Sequence, residues 1–374
     1  MREAYSKIVV ELFMSLIIMK KVEDADKNSK QPELHEIFNK QFGKRLPSFI
    51  NLCTLKKKST VLITGSTGLV GFNLVQIFLL IDSTYKLDLH IVVSFRNRKK
   101  YRCLYPKNQR KRLTIFEENK GISPDFIFHC ESPTSSHEFI TKPVEVIYSI
   151  LTSANRFLEL LRKQKKGEFI FLSSSEVYGS IATEGKLLSE HEPGQVYNLT
   201  TRASYQESKR LVETLAISYF QEFGVKTKII RLSQVIGIPY GYLIDKRLSI
   251  EILNCMLTGK TFEMLSNGDV SRPYIYITDA IYGILTVAFS GKPGEAYNLT
   301  NPRTYCSVKQ FLEEAKRSNF FKVIRKINIQ EERKFLHNVN LNMDVTKMLN
   351  LGWRPTFGIY DSYKEMVLIF QQLK

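Results

Sequence analysis

Tyr205 and Lys209 stand four residues apart in a stretch of helical character, so both side chains fall on one helix face. A phenol beside an ammonium is suited to moving a proton to and from a hydroxyl. An ordinary tyrosine titrates near 10, so a base working at neutral pH needs a fall of roughly three units, about 4 kcal/mol of preference for phenolate. Nearby positive charge is what supplies it. Upstream, residues 171–179 read Phe-Leu-Ser-Ser-Ser-Glu-Val-Tyr-Gly, an apolar strand ending in hydroxyls and a carboxylate. Ser174 and Glu176 would therefore lie at the carboxyl edge of a sheet, where open α/β folds bind ligands. Either feature alone is weak, since a Tyr-x-x-x-Lys match arises by chance on the order of once per few hundred residues and a polar strand end is a common turn.

A second constellation gives them weight. Thr64-Gly65-Ser66-Thr67-Gly68-Leu69-Val70-Gly71 follows the apolar run Val61-Leu62-Ile63 and opens a helix. In a dinucleotide cradle Gly65 permits the tight turn, Gly68 lets backbone approach the pyrophosphate, and Gly71 lets the helix pack closely on the strand. Thr67 and Leu69 flank the start of that helix, where amides are free to donate to phosphate. The second strand ends in Phe95-Arg96-Asn97-Arg98, without the carboxylate that would bond the ribose hydroxyls of NAD. Arg96 suits a 2′-phosphate or a flat packing on adenine, so residue chemistry leaves NAD and NADP both open. Glu118, past the third strand, is either a seat for the adenine or a solvent-facing carboxylate.

These side chains require alternating strands and helices. Apolar runs at 89–95, 113–116, 126–130, 168–172 and 226–232 read as strands of a parallel sheet, and 69–80, 144–163 and 204–223 as helices. On the second helix, Val144, Ile147, Leu151, Ala154 and Leu158 recur at three- and four-residue spacing on one face. The expected architecture is a Rossmann-type, doubly wound α/β sheet over 59–237. It is preceded by a basic, helix-prone extension (1–58) and followed by a smaller, mainly substrate-binding lobe (238–374), some of which returns to the sheet.

Composition narrows the classes. Hydrophobic residues at 43% and charged residues at 24% are ordinary globular usage, which excludes a disordered chain. The net charge of +17 comes from separate short runs at 56–58, 96–100, 107–112 and 163–166, which read as solvated surface and not as a nucleic-acid footprint. The five cysteines are scattered without metal or redox spacing, as suits free thiols in a reducing, cytoplasmic setting. The apolar run at 8–19 carries Glu11 and is too short to span a membrane.

The ordered set TGSTGLVG, HCESPTSS with KPVEVI, FLSSSEVYG, YQESK, RLSQVIG and SRPYIYITDAI resembles the extended short-chain dehydrogenase/reductases, in their nucleotide-sugar epimerase, dehydratase and decarboxylase branch. The resemblance runs from about Thr60 to near the C-terminus. It implies that NAD is bound, with Ser132 among its contacts, and recycled within each turnover. It implies that Tyr205 takes the proton from the sugar C4 hydroxyl, that Lys209 holds the ribose and lowers the tyrosine pKa, and that Ser174 bonds the hydroxyl. Ser175 stands where the dTDP-glucose dehydratases carry aspartate, and Glu176 is usually missing from simple 4-epimerases. The Ser-Glu pair is most similar to UDP-glucuronate decarboxylases, where a glutamate and an arginine matching Arg272 attend a β-keto acid. GDP-mannose dehydratases share that pair. Arg272 is equally suited to bind a diphosphate, and Arg202 to a sugar, a phosphate or a surface ion pair. Glu131 replaces the family's alanine near the cofactor, with Arg96 a possible counter-charge. Leu232 and Ile236 replace its usual proline and tyrosine. The resemblance also implies a nucleotide-diphosphate sugar as substrate and a homodimer through a four-helix bundle. A non-catalytic dinucleotide-binding protein is the competing class.

Overall fold

The computed structural model describes residues 41–43, 45–46, 55–180, 186–238, 247–325 and 340–372. The run at 8–19, Cys53 and most of the extension lie outside them. Strands β1 (Thr60–Thr64), β2 (His90–Val93), β3 (Leu113–Ile115), β4 (Phe126–His129), β5 (Glu168–Ser174), β6 (Lys226–Leu232) and β7 (Glu295–Leu299) form one sheet in the order β7-β6-β5-β4-β1-β2-β3. Every pairing in it is parallel. Such a sheet is covered on both faces, which is why its strands read as near-continuous apolar runs and not as alternating ones. Strand order reverses between β1 and β4, so the crevice for a ligand opens beyond the carboxyl ends of those two strands.

The covering helices include α1 (Leu69–Tyr85), α2 (Pro143–Gln164), α3 (Ala203–Phe223) and α4 (Ile277–Ser290). Proline at the first position of α2 forfeits no hydrogen bond there. Only part of the periodic face of α2 is buried. The helix buries Val146, Ile150, Ala154, Phe157, Leu158 and Leu161, while Val144 and Ile147 are 59% and 39% exposed. Two apolar stripes run side by side on this helix, and the sheet takes the one that carries the large Phe157 ring. Spacing alone cannot choose between them.

Beyond β6, strand Gln234–Ile236 pairs with Ser271–Tyr276, which pairs antiparallel with Asn301–Ser307. Between these lobe strands, β7 returns to the main sheet beside β6. Residues of the N-terminal extension dock on α4. Phe42 is fully buried with its ring 6.0 Å from that of Tyr282, Gln41 Nε2 donates to Thr278 Oγ1 at 3.0 Å, and Arg45 pairs with the buried Asp279 at 2.6 Å. Among the described residues no helix is long and apolar enough to cross a membrane.

β4 ends at His129, whose ring stacks on Phe169 and Phe171 at 5.3 and 5.9 Å and whose Nδ1 lies 3.1 Å from Thr64 Oγ1. Burial, and then the Lys209 ammonium, pull its pKa down to about 3. A free histidine titrates near 6.5, so the unfolded chain takes up this proton first. Stability is then lost as pH falls from about 6.5 toward 3, by up to about 1.4 kcal/mol per pH unit. Urea unfolding at pH 7 and pH 5 should show a lower midpoint at pH 5, and His129→Asn should narrow the gap; an equal gap in the variant would count against this assignment.

Candidate active site

The loop after β1 turns at Gly65, which has φ +58° and lies so close to β4 that a Cβ would sit 2.9 Å from the Cys130 carbonyl oxygen. A Cβ at Gly71 would sit 2.4 Å from the Gly65 carbonyl oxygen. The close approach at Gly71 is therefore to the loop's own backbone and not, as expected, to the strand, because the first turn of α1 folds back over the loop. Gly68 is exposed between Thr67 and Leu69, and α1 begins there with no side-chain cap and no acid in its first turn. Those first-turn amides are left to an anion, so the residues present fit a dinucleotide diphosphate. The Tyr105 hydroxyl donates to the Ser66 carbonyl at 2.5 Å and holds the loop from behind, a contact the sequence analysis did not anticipate.

Across the crevice, the turn after β4 is tied to β1 by the Glu131 amide, which donates to Thr64 Oγ1 at 3.2 Å. The Glu131 carboxylate accepts from Ser153 of α2 at 3.1 Å, so its partner is a hydroxyl and not Arg96. Ser132 donates to the Pro133 carbonyl at 3.1 Å. Glu118 pairs with Arg156 at 2.5 Å, and Arg96 is exposed beyond β2.

Helix α3 lays Tyr205, Lys209 and Glu213 in one buried stripe against the end of β5. Lys209 Nζ donates to the Leu172 carbonyl at 2.7 Å and sits 4.7 Å from the Phe171 ring centroid. Burial pulls the Lys209 pKa down to about 7 against the pull of Cys130 and Glu213. The Tyr205 ring stacks on Phe139 at 4.3 Å with 11° between planes. Burial first, then the Glu176 carboxylate, push its phenol up, while Ser174, Arg202 and Ser132 act to lower it. Lys209 Nζ lies 5.8 Å from the Tyr205 ring centroid, and the Arg202 guanidinium is a cation that lowers the phenol. Arg202 is no outlying surface residue: it pairs with Glu176 at 2.5 Å and lies 5.0 Å from the Phe139 ring centroid. Ser174 Oγ accepts from the Glu176 amide at 3.2 Å and caps the short turn Ser175–Tyr178. Arg272 is half-buried opposite Cys306 in the lobe, and among the described residues no hydrogen bond or ion pair joins it to Ser174, Glu176 or Tyr205.

Behind the site lies a network absent from the sequence analysis. Ser173 Oγ donates to Glu213 Oε1 at 2.6 Å, and Arg231 grips the same carboxylate through Nε and Nη2 at 3.1 and 2.8 Å. Arg231 also lies 4.9 Å from the Tyr178 ring centroid, and the Tyr178 hydroxyl donates to Asn298 at 2.7 Å. Glu213 follows Lys209 by four residues on the same face, a periodic signal that was readable in advance.

The family model for the NAD dependent epimerase/dehydratase family matches residues 61–300. The chain belongs to that family. Its members act on nucleotide-sugars as epimerases, decarboxylases and dehydratases. Among the relatives of this epimerase/dehydratase chain, UDP-glucuronic acid decarboxylase 1 of Xenopus tropicalis is 24% identical over 89% of this chain and 77% of its own. The UDP-glucose 4-epimerase of Thermotoga maritima superposes with TM-score 0.68 at 19% identity, covering 84% of this chain and 99% of its own. A dTDP-glucose 4,6-dehydratase of Streptomyces venezuelae with NAD bound superposes with TM-score 0.68 at 20% identity, covering 84% and 97%.

In this epimerase/dehydratase chain the Glu213–Arg231 pair is nearly buried, with side chains 11% and 13% exposed. Removing one partner strands the other's charge in a low dielectric. Glu213→Leu should therefore lower unfolding stability by about 3–5 kcal/mol, read from urea denaturation at pH 7; a loss below about 1 kcal/mol would show that the pair is well solvated.

Proposed function

We propose that this chain is a UDP-glucuronate decarboxylase that oxidises the sugar at C4 and needs no external oxidant or reductant over the full cycle. The observation that carries this reading is Glu176 itself, held by Arg202 and close enough to Tyr205 to act on its phenol, with a serine and not an aspartate at position 175.

Gly65, Gly68 and Gly71, with Thr67, Leu69, Arg96 and Ser132, would hold NAD, which when bound supplies a hydride acceptor and a positive ring. Lys209 would hold its ribose. Ser174 bonds the C4 hydroxyl, and Tyr205 takes its proton as hydride leaves C4. The resulting C4 ketone lies β to the C6 carboxylate. The C5–C6 bond then breaks, its electron pair moves toward the ketone oxygen, carbon dioxide departs, and C5 is protonated; the hydride would then return to C4 while Tyr205 gives its proton back to the C4 oxygen, which closes the cycle. Glu176 places like charge near the substrate carboxylate, and Arg272 is the residue of the lobe suited to attend the carboxylate or the diphosphate. Metal ligands play no part in this reading.

The exposed apolar residues Val144, Ile147 and Tyr148 of α2 and Leu211 of α3 belong to the same proposal. They are the residues through which two copies would join their α2 and α3 helices in a homodimer. Free thiols at Cys130 and Cys306 suit the cytoplasm.

Proton NMR of UDP-glucuronate incubated with the chain and NAD is expected to show loss of the carboxylate-bearing sugar and the rise of a pentose or 4-keto-pentose. Tyr205→Phe should slow that conversion at least a hundredfold while cofactor binding persists. Inversion at C4 with the carboxylate retained would make the chain an epimerase. Water loss from a dTDP- or GDP-hexose would make it a dehydratase. Silence across nucleotide-sugars would favour a binding protein.

A further inference from the structure

In a doubly wound sheet the adenine ribose of a dinucleotide lies beyond the end of the second strand, where a carboxylate reads the 2′-hydroxyl of NAD. After β2 this chain runs Ser94-Phe95-Arg96-Asn97 with no acid, and Asn97 spends its side-chain oxygen on the Lys100 amide at 2.9 Å. Arg96, Arg98 and Lys99 are exposed there, and their side chains make no hydrogen bond or ion pair with other described residues. Carboxylates at the neighbouring strand end are already committed: Glu117 to Lys120 at 3.0 Å and Glu118 to Arg156 at 2.5 Å. Glu131, in the turn after β4, accepts from Ser153. The corner therefore combines unmatched positive charge with no carboxylate on its own loop.

The position of this basic loop is fixed relative to the cradle. Phe95 stacks on Tyr101 at 4.2 Å with 8° between planes, and Tyr101 packs on Tyr105 at 5.1 Å. Tyr105 in turn donates to the Ser66 carbonyl inside the glycine loop at 2.5 Å. A ladder of three rings thus ties the backbone that carries Arg96 to the backbone that would carry the diphosphate. An arginine fork held in this way is suited to a phosphate dianion, for which charge-assisted hydrogen bonds are short and strong.

We propose that the loop after β2 is a site for a 2′-phosphate, so that this chain binds NADP at least as tightly as NAD. The inference rests on the dinucleotide reading of the cradle given above. It is tested by calorimetric titration of NAD and NADP, in parallel, into the full chain, Arg96→Ala and Ser94→Asp, with circular dichroism confirming that each is folded. The expected result is an NADP Kd equal to or below that of NAD. Arg96→Ala should weaken NADP about tenfold or more beyond whatever it costs NAD, while Ser94→Asp should turn the preference toward NAD. Tight NAD binding with NADP tenfold weaker would overturn the 2′-phosphate site and leave the dinucleotide reading standing. Binding of neither nucleotide by folded protein would overturn both.

Discussion

A lysine amine held out of water organises the centre of this molecule. Lys209 is 3% exposed, and an ammonium so placed is tolerated only if its surroundings compensate for lost hydration. Compensation comes from the Leu172 carbonyl, the face of Phe171 and the Glu213 carboxylate one helical turn on. Each fixes something else. The carbonyl requires α3 to lie on the last residues of β5, and the ring requires an aromatic where a parallel strand would take any apolar residue. The carboxylate must in turn be gripped by Arg231 of β6, and it also binds Ser173, the neighbour of Ser174. A side chain suited to holding a ribose thus sets the relative position of two strands and a helix.

That dependence explains how much of the fold and the site could be read in advance. β1, β4, β5 and β6 are buried on both faces, so their apolar runs announced them, and strand-helix alternation made a parallel sheet the natural arrangement. Once the sheet is parallel, Gly65, Ser174 and Tyr205 must gather along its carboxyl edge, since turns after parallel strands open on one side. Local spacing also contained Glu213, although it was not singled out. What sequence could not contain were choices made between distant segments. The Phe139 ring stacked on Tyr205 comes from a helix of a different βα unit, and the hydroxyl that donates to Glu131 comes from α2. Which of two apolar stripes α2 would bury depended on the shape of the sheet beneath it.

The phenol shows the same limit in electrostatic form. Spacing places Lys209 one turn from Tyr205 and suggests direct influence, but distance along a helix does not say where an ammonium points. Here it points at a backbone carbonyl, its nitrogen 5.8 Å from the tyrosine ring centroid. The Glu176–Arg202 pair adds opposed local charges, one raising and one lowering the phenol, and burial outweighs both.

The docking of residues 41–43 and 45–46 on α4 has a consequence for how the chain is made. Arg45 and Asp279 are separated by 234 residues, so the earlier partner leaves the ribosome long before the later one exists. At about 5–20 residues per second the wait is on the order of ten to fifty seconds. During it, Phe42 and Leu46, both buried in the finished molecule, have no surface to cover them. A segment translated early is therefore among the last to reach its place, and its two apolar anchors wait without their α4 partner through most of the synthesis of the intervening chain.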